Sequence, residues 1–101
     1  NCIVLTGILV ERRNLRFTPA GTPVAECLVK HVSEQVEAGV QRQVECEVPA
    51  IALGECANWL QAAAPGTELR LTGFIAAKSR QSRQLRLHIT KIEFVEGKQN
   101  G

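Results

Sequence analysis

Residues 49–77 read PAIALGECANWLQAAAPGTELRLTGFIAA, and their pattern changes partway along. From Pro49 to Pro65 the chain is rich in alanine, with Leu53, Ala57, Leu60 and Ala64 at intervals of four, three and four. Such intervals stack side chains on one face of a short amphipathic helix, and Pro65-Gly66 stops it. From Leu69 to Ala77 the reading is a strand with Gly73 inside it, and a glycine inside a strand marks a bulge or a sharp barrel corner.

Upstream, the sequence reads as three strands. Cys2 to Val10 is β-branched and aliphatic and bends at Gly7. Glu11 to Phe17 is polar and basic, and Thr18-Pro19-Ala20-Gly21-Thr22-Pro23 is strong turn punctuation. Val24 to His31 alternates, with Ala25, Cys27 and Val29 on one face and Glu26 and Lys30 on the other. Val32 to Gly39 reads as an exposed loop. In the third strand Val40, Val44, Cys46 and Val48 share one parity, while Gln41, Gln43, Glu45 and Glu47 make a wet face. Downstream, Lys78 to Arg83 is a polar, basic loop and Gln84 to Val95 a fifth strand. There the apolar parity switches between Ile89 and Ile92, as a bulge would require.

Three strands, a helix and two strands, with glycines inside strands one and four, is the plan of the OB-fold, an all-β, five-stranded Greek-key barrel with a short helix between strands 3 and 4. An immunoglobulin-like sandwich needs about seven strands, and an SH3-like barrel has no helix at this point. A chain of 101 residues holds one such domain, residues 1–101.

Composition narrows the function. Apolar runs are far shorter than the roughly 20 residues that cross a bilayer, and no secretory pattern opens the chain, so a cytoplasmic protein without membrane contact is expected. Cys2, Cys27, Cys46 and Cys56 include no C-x-x-C pair and read as small apolar core residues. His31 and His88 have no nucleophile elbow, zinc-protease motif or phosphate loop beside them, and all ten acids are glutamates. No enzyme activity and no cofactor is expected.

Net charge is only +2, but its distribution is uneven. From Glu34 to Glu68 six glutamates face the single Arg42, whereas Ile75 to Ile92 carries Lys78, Arg80, Arg83, Arg86 and Lys91 without an acid. A chain polarised in this way offers one positive surface to a polyanion.

Asn1, Val4, Leu5 and Gly7, followed by Leu15-Arg16-Phe17-Thr18-Pro19-Ala20-Gly21-Thr22-Pro23-Val24, resemble the first hairpin of bacterial single-stranded DNA-binding proteins. His31, Ser33, Gln35, Glu37-Ala38-Gly39, Arg42-Gln43, Cys46, Pro49, then Gly73-Phe74-Ile75, the basic loop and Leu87-His88, are similar in kind and spacing to the PriB family of primosomal replication proteins. The resemblance spans nearly the whole chain. An ending at Glu96-Gly97-Lys98-Gln99-Asn100-Gly101, without a long acidic-tipped tail, also sides with PriB, the alternative being a general or truncated single-strand binding core. The resemblance implies a homodimer that binds single-stranded DNA without sequence preference, with the PriA helicase and DnaT as partners. On this sequence it assigns DNA contact to Arg16, Arg42, Lys78, Arg80 and Arg83. It also exposes a departure: where some relatives have Phe and Trp on strand three, this chain has Val40 and Glu45.

Single-strand binders combine a cationic track with aromatic platforms. Of the aromatics, Phe17 beside Arg16 is the stacking candidate, Phe74 and Phe94 read as core, and Trp59 as a packing residue of the helix. Arg42 either pairs with a nearby glutamate or points at phosphate, and the second is preferred. The expectation is that the barrel aligns Arg16, Arg42 and the cations of residues 78–83 along one track.

Overall fold

The structure, a computed structural model, describes residues 1–95. The last strand is described to its end, but the ending at Glu96 to Gly101 lies outside the described residues. In chain order the elements are β1 (Ile3–Arg12), β2 (Arg16–Phe17), β3 (Pro23–Glu37), β4 (Val40–Leu53), α1 (Glu55–Gln61), β5 (Glu68–Ala77) and β6 (Leu85–Phe94). The strands lie in the order β1-β5-β6-β4-β3-β2, and an additional β1–β3 pairing closes five of them into a barrel. The two-residue β2 lies beside β3, on residues beyond those that β1 covers. The expected OB barrel is therefore present, with its helix between the third and fourth barrel strands.

Closure depends on β1 serving two partners. Its first part pairs with β5 from Ile3 to Ile8, and its second with β3 from Ile8 to Arg12, with a register shift between Leu9 and Glu11. Gly7 sits at this crossing, where a β-carbon would stand 2.7 Å from the Lys30 carbonyl oxygen. Gly73 plays the same part on β5, because a β-carbon there would run into the His88 backbone. Opposite it, Thr72 pairs with Lys91 and Gly73 with Ile89, which leaves Thr90 as the extra residue of a bulge. That is the parity switch expected between Ile89 and Ile92.

Leu9, Val29, Leu69, Leu71 and Leu87 fill the barrel, and Ala57, Leu60 and Ala63 of the helical segment join the same core. The helix is shorter than the alanine-rich pattern suggests. Pro49 to Leu53 continue β4 instead, because Ala50 and Ala52 alternate into the core while Leu53 pairs with Val24.

The segment Val32–Gly39 is not a loop. It forms the end of β3 and a tight turn, with partners running from Val32↔Glu45 to Glu37↔Val40. Neither β1 nor β6 reaches this part of the pair, so the ribbon is wet on both sides and residues 32–39 lack the apolar alternation that marks a strand in sequence. Ala38 and Gly39 turn it with φ of 53° and 78°.

Two further expectations are corrected. Only Cys27 of the cysteines is buried, its thiol pushed up to about 12 by desolvation; Cys56 is half-buried and Cys2 and Cys46 are exposed. Phe74 and Phe94 are exposed rather than core: Phe74 has even parity beside the inward Leu71 and Gly73, and Phe94 ends the last strand.

Candidate nucleic-acid interface

The outer face of β3, β4 and β6 is flanked by the loop after β1 and by the loop from Lys78 to Gln84. These are the face and loops with which OB barrels hold oligonucleotides. Between them runs a groove of about 680 Å³, lined among others by Arg13, Glu26, Leu28, Lys78, Leu85 and Arg86. Register orders the sheet under and beside it. Glu26 of β3 pairs with Ile51 of β4, Ile51 with His88 of β6, and His88 with Phe74 of β5, which sets these four positions in one row across the sheet. One row along, Leu28 pairs with Pro49 and Arg86 with Ala76.

Glu26 organises the cations. Arg16 donates to its Oε2 at 2.7 Å, and Arg86 Nη1 lies 3.9 Å from its Oε1. The hydrogen bond from Arg16 lowers the Glu26 pKa, desolvation opposes it, and the charges of Arg16, Arg86 and Arg13 lower it further. A carboxylate held ionised among three guanidinium groups keeps the side chains in place while leaving the cluster net positive. Arg86 is the least exposed of them, and its buried Nε finds no acceptor among the described residues.

Of the expected contact residues, Arg16 and Lys78 stand at this groove, the first through Glu26. Arg80 and Arg83 are exposed in the adjoining loop, which is closed by the Lys78 amide donating to the Gln84 carbonyl at 2.8 Å. Phe17 is 62% exposed beside Arg16. Arg42 stands apart. Its strand partner is Gln35, nine residues along β3 from Glu26, or about 30 Å of extended chain. It donates to Glu37 at 2.6 Å and shares a shallow depression with Glu37 and Glu45. The single track expected for Arg16, Arg42 and residues 78–83 therefore divides into a barrel groove and a separate ribbon tip, because the ribbon carries Arg42 away from the barrel.

Two groove residues escaped the reading of the chain. Arg13 stood in a segment noted as basic, and Arg86 in the acid-free run, but only the bulge in β1 and the parity of β6 aim them here. Arg12 also lines the groove, but its Nε is engaged with the fold, donating to the Ala63 carbonyl at 2.7 Å. Lys30 pairs with Glu45 at 2.9 Å, which ties up that carboxylate. Among the described residues, no three His, Cys, Asp or Glu side chains gather as a metal site, and no helix is long and apolar enough to cross a membrane.

Comparison with known proteins follows the same line. Residues 1–91 match a family described as "Another single-strand binding protein family". Replication restart protein PriB of Nitrosomonas europaea is 42% identical over 94% of this chain and 88% of its own length. That of Bordetella pertussis is 38% identical over 96% and 91%. The solved structure of PriB from Ralstonia solanacearum superposes with a TM-score of 0.84 at 39% identity, covering 93% of this chain and 96% of that one. The single-stranded DNA binding protein of Thermus aquaticus, at 21% identity and a TM-score of 0.78 over 98% of this chain and 52% of that one, shares the fold.

Proposed function

The chain belongs to the PriB replication restart proteins of the single-strand binding class, and from that premise we propose that it binds single-stranded DNA without sequence preference along the barrel groove. The observation that carries this reading is the convergence of Arg13, Arg16, Lys78 and Arg86 on one outer face, on the side where OB barrels take oligonucleotides. Guanidinium and ammonium groups read phosphate, which is the same at every nucleotide, so affinity is electrostatic and sequence-tolerant. Arg80 and Arg83 extend the contact from the loop, and Phe17 offers a ring beside Arg16. Arg42 adds at most a distant contact through the ribbon.

The working unit in this reading is a homodimer. Val4, Ile8 and Val10 expose an aliphatic stripe on the outer side of β1, and a twofold pairing of identical faces would cover it. Its role is that of a replication restart accessory in the cytoplasm, bridging the PriA helicase and DnaT while holding the DNA strand. Support for these partners is the kinship with PriB.

Fluorescence anisotropy with labelled dT, dC and dA oligomers of increasing length, at several salt concentrations, tests the reading. Affinity is expected to rise with length to a plateau with little dependence on base, and log K to fall with log salt by about 0.7 per phosphate contacted. Absence of any shift at low salt would overturn it. Sedimentation fixes the number of subunits, and mixing with purified PriA and DnaT tests the bridge.

A further inference from the structure

We propose that Phe74, backed by the ring of His88, is a nucleobase-stacking subsite at the edge of the groove. This rests on the reading of that face as a single-strand interface. Phe74 and His88 are direct cross-strand partners, and their rings lie parallel at 10°, with centroids 4.9 Å apart. The geometry is that of an offset stack. One ring braces the other, and Phe74 remains 39% exposed.

Position along the sheet gives the platform its use. His88 and Arg86 are two residues apart on the same side of β6, about 7 Å, which is close to the reach from a nucleotide's phosphate to its base. A strand whose phosphate meets Arg86 in the groove can therefore lay a base beside the Phe74–His88 pair. The imidazole suits this as a neutral ring, since partial burial and the charge of Arg86 hold its pKa below the ordinary value. The other exposed rings stand on other elements: Phe17 on β2, Trp59 on α1, and Phe94 at the end of β6. On β4, Val40 and Glu45 offer no π-face. Phe74 is the ring that the sheet itself sets next to the cations.

A purely structural pair would serve only to shield Ile51, which is 3% exposed in the same row. Comparing an oligo-dT strand with an abasic strand of equal length separates the two roles, because both carry the phosphates and only the first carries bases. Phe74→Leu retains an apolar side chain and removes the ring. The expected result is an affinity loss of about 5- to 150-fold for oligo-dT, with the salt slope unchanged and abasic binding unaffected. Phe74→Trp in a Trp59→Phe background is expected to bind oligo-dT and to be quenched by it, but not by the abasic strand. Unchanged dT affinity in the leucine variant, an equal loss on both strands, or a tryptophan blind to dT would each overturn the subsite while leaving the interface standing. A wild-type chain that binds neither strand would overturn the interface and the subsite together.

Discussion

The Arg16 guanidinium donates to Glu26 at 2.7 Å across the β2–β3 edge, and the same carboxylate faces Arg86 from β6. One acid thus holds two cations at the groove and competes with phosphate for both. Glu26→Gln is expected to tighten oligo-dT binding several-fold and to steepen the salt slope by up to about 0.7 for each cation released. Its effect on stability should be small, about 1 kcal/mol or less, because Arg16 is exposed and Glu26 only partly buried, so water screens the pair. Salt-series anisotropy and urea melts check both parts.

Replacing Lys78, Arg80 and Arg83 together with Ala is expected to weaken binding and lower the salt slope by about 2, at roughly 0.7 per contact. Arg42→Ala should change the slope by much less, since Arg42 is paired with Glu37 on the ribbon tip. The same titration with both variants measures the contrast. An unchanged slope in the triple variant would remove the loop from the interface.

Gly73→Ala is expected to cost about 3 kcal/mol or more of unfolding free energy, because its methyl group would enter the His88 backbone at the bulge. The overlap is with main chain, so no side-chain rotation relieves it. Chemical denaturation monitored by Trp59 fluorescence would show the shifted midpoint.

Ala38 is the one non-glycine with positive φ among the described residues. An L-residue with a β-carbon pays roughly 1 kcal/mol there, and asparagine tolerates it best in a two-residue hairpin turn. Ala38→Asn should raise stability by up to about 1 kcal/mol, and DNA affinity should stay as it was. Thermal melting and anisotropy give the two readouts.

The pH dependence has a definite sign. His88 titrates below its ordinary value in the fold, because of burial first and Arg86 second. The folded state therefore favours the neutral ring: this stability is complete above about pH 6.5 and is lost as pH falls from there through the folded pKa. Glu26, also depressed, adds a second loss at lower pH, as its carboxylate is protonated. Melting temperatures between pH 8 and 5 should fall less for His88→Gln than for the wild type.

Much of the fold was legible because barrel strands bury one face, and burial writes a two-residue period into the sequence. The alternation of Ala25, Cys27 and Val29, the glycines at 7 and 73, and the parity switch after Ile89 all survived as readable marks. The first half of the ribbon did not, because residues 32–39 are wet on both faces and polar or glycine at most positions, whereas their partners kept the alternation of Val40 and Val44 with Gln41 and Gln43. Phe74 misled for the opposite reason: an apolar run such as Gly73-Phe74-Ile75-Ala76 does not show which parity faces the core.

By itself the sequence determined the barrel, its helix and its asymmetry of charge, since these follow from local periodicity and composition. Which cations meet was left to tertiary structure. The bulge in β1, the parity of β6 and the closure of the sheet bring Arg13, Arg16, Lys78 and Arg86 to one groove from distant parts of the chain, while the long ribbon takes Arg42 elsewhere. Charge is a property of residues, but its convergence is a property of register.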